Sequence, residues 1–366
     1  MKYISFLIFF TAFFLISCEK EIDFKGKEEA PRMVLNAILN PDTRIYVFLS
    51  ESQFFLSPNT DSKNIRDAKV YLWRNGEMIQ EMDSYGIYYS DDFIPSIGDK
   101  IKITAEHPDY PSIESAEVEI PAPVPLITID TVDFKHYATK YSAIYTSDYI
   151  GDYTGDYPND TTSTDSTYIV VTSSKIKITF NDPEKIKNYY RIFVGVTDKC
   201  YGKSELYNGV YCYSDDIVFS NSNMGLANTS RYNEFSDLLF DGETYTLTLC
   251  FYVGNSYDSS NIPDEREITV RLESICESNY KYYSSLSLFG LVGDGVFSEP
   301  VQIYSNIKGG MGVLGAYAVS DSTIRLSKWE EIDQDEYHKR RNKDWDEFWK
   351  TYERYSLGTI YAPYGY

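Results

Sequence analysis

From Arg32 onward, short apolar runs alternate with turn residues. Arg32 to Leu39 (RMVLNAIL) and Arg44 to Ser52 (RIYVFLSES) flank the turn cluster Asn40-Pro41-Asp42-Thr43. In AKVYLWRNGEMIQEM, Ala68, Val70 and Leu72 share one face of a strand, and Tyr71 and Trp73 share the other. Asn75-Gly76 then supplies the pair that a tight hairpin demands. Ile101, Ile103 and Ala105 alternate with Lys102 and Thr104, and Val118 and Ile120 repeat the pattern. This spacing predicts a β-sandwich over residues 32–122. A proline-rich link, Ile120 to Asp130, follows. Period-two runs resume with Ile176, Ile178 and Phe180, then with NYYRIFVGVTDKC, GVYCYSDDIVF, ETYTLTLCFYV and REITVRLESI. They predict a second sandwich over 123–327. Within it, residues 137–167 are rich in Asp, Tyr, Gly, Ser and Thr and read as a low-complexity insertion.

Two stretches switch to helical spacing. Tyr280, Tyr283 and Leu286 predict a short helix. Near the end, Tyr337, Arg341, Trp345, Phe348, Trp349 and Tyr352 form one stripe, so residues 328–366 are expected to be a helical segment. The fold class is therefore all-β: two sandwiches of the immunoglobulin-like or transthyretin-like kind, with a short helix and a C-terminal helical segment. The aromatic stripe has two destinations. It caps the second sandwich, or its Trp345, Phe348, Trp349 and Tyr352 anchor a partner.

The start of the chain has another character. Lys2 precedes an apolar run, Tyr3 to Ile16, of signal-peptide length and too short to span a bilayer comfortably. It ends on Leu15-Ile16-Ser17-Cys18, which resembles the lipobox of bacterial lipoproteins. The resemblance implies a signal peptide over 1–17 and acyl chains on Cys18, hence an outer-membrane anchor for a soluble body. Glu19, Lys20 and Glu21 resemble the lipoprotein export signal of Bacteroidetes-type bacteria and imply a cell-surface location. The plainer reading makes residues 18–31 an acidic tether.

Composition narrows the partners. Net charge is −21, and the one dense basic cluster, Lys339-Arg340-Arg341, is set among acids. A nucleic-acid partner is excluded on that balance, because phosphate binding needs a basic patch. Tyrosines number 35 and phenylalanines 20, in keeping with half-buried strand faces.

Chemistry is sparse. The three histidines, His107, His136 and His338, show no metal-ligand spacing, and no nucleophile elbow occurs. Asp152, Asp156 and Asp160 do not follow the spacing of a calcium loop. No catalytic residue, metal ligand or cofactor is assigned, and the protein is read as a non-enzyme. Acid pairs are too common in this chain to single out or to exclude a glycosidase pair. With Cys18 acylated, Cys200, Cys212, Cys250 and Cys276 remain. Cys200 and Cys212 flank a hairpin loop and are expected to form a disulfide. Cys250 and Cys276 are harder to join.

The stretch Phe297 to Ala318 (FSEPVQIYSNIKGGMGVLGAYA), with YYSSL before it, the lipobox and the Asn75-Gly76 hairpin, resembles the domain-of-unknown-function family 4249. The resemblance runs from about Cys18 to Ser327. It implies a two-domain β lipoprotein of a kind often encoded beside TonB-dependent outer-membrane receptors, and it carries over no catalytic residue. The reading that follows is a surface-exposed binding or accessory subunit. A glycan- or peptide-active enzyme and a purely structural or adhesive lipoprotein are its rivals. The glycines Gly309, Gly310, Gly312 and Gly315 read as a tight strand junction, since the Gly-Lys-Ser/Thr ending of a phosphate loop is missing.

Overall fold

The computed structural model describes residues 30–53, 63–142, 166–200, 204–208, 210–222, 233–258, 262–292 and 301–360. The first region holds β1 (Met33–Leu39), β2 (Tyr46–Glu51), β3 (Lys69–Arg74), β4 (Glu77–Glu81), β5 (Asp83–Ser84), β6 (Tyr88–Tyr89), β7 (Lys100–His107), β8 (Tyr110–Ser115) and β9 (Val118–Glu119). The second holds β10 (Leu126–Ser142), β11 (Ser166–Asn181), β12 (Tyr189–Cys200), β13 (Ser204–Asn208), β14 (Val210–Tyr213), β15 (Glu234–Ser236), β16 (Thr244–Asp258) and β17 (Glu265–Ile275). Helix α1 (Glu277–Val292), β18 (Ile307–Lys308), β19 (Met311–Leu326), β20 (Glu330–Ile332), helix α2 (Gln334–Tyr355) and β21 (Ser356–Ile360) complete the chain.

The all-β class holds, and the alternation explains why. Met33, Leu35, Ala37 and Leu39 point into one core while Val34, Asn36 and Ile38 are only half-buried. Asn75 and Gly76 both take positive φ (51° and 85°), the backbone that a two-residue hairpin between β3 and β4 requires.

Among the described residues the strands form three sheets. A nine-stranded sheet runs β13-β12-β17-β19-β1-β2-β6-β5, with β15 also on β12. One six-stranded sheet runs β18-β8-β7-β3-β4, with β9 on β7; the other runs β20-β10-β11-β16-β14-β21. The first core joins Leu35 and Val47 to Val70, Leu72, Ile101 and Ile103; the second joins Ile192, Val194 and Val270 to Ile176, Leu249 and Phe251. The nine-stranded sheet thus serves both sandwiches, facing a different six-stranded sheet at each end.

Strand β19 makes that continuity. Its first half pairs parallel with β1, and its second half pairs antiparallel with β17. Ile307, Leu314 and Ala316 consequently belong to the first core. The expectation of a second sandwich running unbroken to residue 327 is therefore corrected. Alternation reports which residues face inward, not which core receives them. The parallel pairing also explains the glycines. Gly312 sits opposite Leu35 at φ 104°, and a Cβ there would lie 2.0 Å from the Leu35 carbonyl oxygen. A Cβ on Gly315 would lie 1.4 Å from Asn279 Oδ1 of α1. Close approach of two backbones, and of a helix to a strand, excludes any side chain at these positions.

Two further boundaries move. The insertion expected over 137–167 is narrower, because β10 continues through Ser142 and β11 begins at Ser166, paired residue for residue. Tyr137 and Ala138 are buried there on opposite faces of β10, which a composition-based reading overlooks. The C-terminal segment is not helical throughout: β20 precedes α2, and β21 follows it and pairs with β14.

Candidate functional site

The residues singled out from the sequence fall in different places. Cys18, Glu19, Lys20 and Glu21, and the acids Asp152, Asp156 and Asp160, lie outside the described residues. The disulfide expected between Cys200 and Cys212 is not formed; both are buried thiols. The reason is topological. Cys200 closes the β12–β13 hairpin opposite Ser204 in the nine-stranded sheet, whereas the chain crosses to the other sheet before Cys212, which pairs with Phe251. Cys250 and Cys276 are also thiols. Burial pushes the Cys212 thiol far up, so it is an inert core residue.

On α2, Phe348 is buried against Tyr213 and Tyr252, with ring centroids 5.1 and 5.5 Å away. Tyr337 is buried edge-on to Tyr137. Helix α2 therefore covers the outer face of the β10-β11-β16-β14 sheet, and Phe348 is not a surface anchor. The side chains of Trp345, Trp349 and Tyr352 lie outside the described residues. Arg340 is held by Glu330 (2.6 and 2.9 Å) and Glu336 (2.8 Å), so it is already neutralised by its neighbours.

Sequence reading missed the principal polar cluster, which closes one end of the second sandwich. Arg266 of β17 is 1% exposed. Its guanidinium grips Asp198 of β12 in fork geometry, Nε to Oδ1 at 2.7 Å and Nη2 to Oδ2 at 2.8 Å. It also donates to Thr172 Oγ1 at 2.8 Å, to the Tyr257 hydroxyl at 3.0 Å and to Asn255 Oδ1 at 3.2 Å. Tyr257 in turn donates to Asp198. Thr172 Oγ1, which accepts from Arg266, also hydrogen-bonds His136 Nδ1 at 2.8 Å. The other ring nitrogen, Nε2, is buried without a hydrogen-bond partner. The ring meets Trp329 edge to face at 6.3 Å. Burial, and then the Arg266 charge, push His136 down to about 4, so it is neutral at physiological pH.

Strand parity carries the signal that could have found this cluster. Arg266 occupies the inward parity of Ile268, Val270 and Leu272, and Asp198 that of Ile192, Val194 and Val196. A charged residue at an inward position asks for a partner on the facing sheet.

A second cluster lies on the outer face of the nine-stranded sheet, beneath α1. Arg191 of β12 pairs with Glu273 of β17 at 2.9 Å and stacks between the rings of Phe193 and Tyr283, 4.5 and 4.4 Å from their centroids. Glu234 of β15 is buried beside them, and burial pushes its carboxyl up to about 8. A third group gathers Asp182, Asp237 and Asp241 within 4.8 Å. Burial, then Asn188's backbone N–H acting in opposition, then the two neighbouring carboxylates set Asp237, and its pKa is raised. The loop already engages these acids: Asp182 accepts from Gly242 N–H at 2.9 Å and from the Tyr190 hydroxyl, Asp237 from Asn188 N–H, and Asp241 from Lys185 N–H at 3.2 Å. They act as turn-closing acceptors.

The model of one family, described as a domain of unknown function (DUF4249), matches residues 19–323. The chain belongs to this family. Within DUF4249 terms, the matched span takes in both cores and ends inside β19, so α2 and β21 lie beyond it. No curated protein and no solved structure matches the chain.

Proposed function

We propose that this DUF4249 protein is a surface-exposed lipoprotein, anchored in the outer membrane through acyl chains on Cys18, and that it serves as a non-catalytic binding or accessory subunit of a TonB-dependent receptor in nutrient uptake. The observation that carries the anchor is Leu15-Ile16-Ser17-Cys18 at the end of the apolar leader, followed at once by Glu19-Lys20-Glu21. Several acyl chains hold a soluble domain stably, where one would not. No helix among the described residues is long and apolar enough to cross a membrane. Arg266, Asp198, Tyr257 and Thr172 satisfy one another inside the sandwich, as a structural network does. The receptor is inferred from the family resemblance.

Purification of the tagged protein from native membranes tests the reading. A TonB-dependent receptor in stoichiometric yield supports it. Recovery of the lipoprotein alone, together with turnover of a glycan or peptide by the pure protein, would replace it with the enzyme reading.

A further inference from the structure

Helix α1 buries polar side chains beside its aromatic ones, whereas a surface helix ordinarily buries an apolar stripe. Among its described side chains Asn279 and Ser287 are the most buried, at 1% and 4% exposure; Tyr280, Tyr283 and Leu286 are half-buried and Phe289 is 49% exposed. The buried side crosses the nine-stranded sheet from β19 to β15. Asn279 donates to the Ala316 carbonyl, Tyr283 covers Arg191, and Ser284 reaches Glu234 Oε1 at 3.5 Å.

The fit between helix and sheet is incomplete. Asn279 Oδ1 is buried without a hydrogen-bond partner, and the buried Glu234 carboxyl faces the Ser284 and Ser287 hydroxyls of α1. The unsatisfied Asn279 oxygen and the desolvated Glu234 carboxyl both penalise the docked helix and are relieved when water reaches them. An isolated sixteen-residue helix is marginal in water, so lifting α1 also loosens its backbone.

Glu234 is the ionisable group of the two. Facing it among the described residues are Arg191 from β12, with that residue's partner Glu273 from β17, and Tyr280, Ser284 and Ser287 from α1. We propose that α1 is a releasable strap over the outer face of β12, β17 and β19, held down while Glu234 keeps its proton and freed as that proton is lost.

The sign follows from linkage. Docked, the Glu234 carboxyl titrates at about 8; lifted into water, it returns to about 4.3. A carboxyl whose docked value is raised stabilises the docked form fully below the ordinary value, and that support is lost as pH rises through the docked value. The population of lifted strap therefore grows about tenfold per pH unit across that window and levels off above about pH 8.

Hydrogen exchange on the purified lipidated protein in detergent reads this directly, once each rate is divided by the intrinsic rate at the same pH. The protection of α1 amides should fall about a hundredfold between pH 5.5 and 7.5. Amides of β12 and β16 should keep theirs. In Glu234→Gln the α1 protection should stay flat over the same interval. Flat protection in the wild type, an equal fall in Glu234→Gln, or a parallel loss in β12 would each overturn the proposal. The wild-type profile decides on its own if the variant fails to fold.

Discussion

Replacing Asp198 by Asn removes one charge of a buried ion pair while keeping its size. The side chain of Asp198 is fully buried and that of Arg266 is 1% exposed. The substitution leaves an uncompensated guanidinium in the sandwich interior, with one amide oxygen at position 198 and Thr172, Tyr257 and Asn255 as its remaining acceptors. Breaking one partner of a buried pair costs about 3–5 kcal/mol, because the surviving charge stays desolvated. Removing both charges, in Asp198→Leu with Arg266→Met, replaces the pair by apolar groups of similar volume, a change that ranges from neutral to stabilising elsewhere. Here the hydroxyl of Tyr257 and the imidazole of His136 lose order, so a residual cost of about 1–2 kcal/mol is expected. The double variant should therefore be more stable than Asp198→Asn. Urea unfolding followed by tryptophan fluorescence measures both, with Trp329 beside His136 as a local reporter. An Asp198→Asn cost below about 1 kcal/mol, or a double variant less stable than Asp198→Asn, would refute the assignment of this network as a desolvated charge pair.

Phe348→Ala should destabilise the second sandwich by about 3 kcal/mol, read by the same unfolding assay, since the ring is buried between Tyr213 and Tyr252. Gly312→Ala should cost more than its size suggests and should lower the soluble yield, because its Cβ would strike the Leu35 carbonyl and its φ is 104°. His136, held down at about 4, gives a pH effect of the opposite sense to Glu234. Its folded value lies below the ordinary 6.5, so its neutral form supports the fold above that value and the support is lost as pH falls towards 4. The penalty of His136→Gln relative to wild type should accordingly shrink by about 2 kcal/mol between pH 7.5 and pH 5. An unchanged penalty would place His136 outside the network.

The strands were legible because one side of each is buried. Ile101, Ile103 and Ala105 are fully buried, as their alternation with Lys102 and Thr104 requires. The hairpin at Asn75-Gly76 was legible because positive φ at two successive positions selects those residues. Topology was less so. Nothing in the pattern of MGVLGAYA states that it pairs parallel with a strand some 280 residues earlier, a long-range contact set by shape more than by period. The Cys200–Cys212 expectation failed for the same reason: sequence proximity suggested a hairpin, and the chain instead crosses between sheets. The polar clusters were half-legible. Arg266 and Asp198 break the inward parity of their strands, whereas Glu234 sits in a three-residue strand too short to show any parity. Helix α1 was found by spacing, but the burial of its Asn279 and Ser287 was not, because the period followed only its tyrosines and Leu286.

That the protein is a lipid-anchored body carried at the cell surface is tested most directly by protease shaving of intact cells fed a clickable fatty acid. Wild-type protein should carry the label and be cleaved. Cys18→Ala should lose the label, and replacement of Glu19, Lys20 and Glu21 by Ala should keep the label but escape cleavage. Label retained on Cys18→Ala, or wild-type protein resistant to shaving until the outer membrane is opened, would contradict the account.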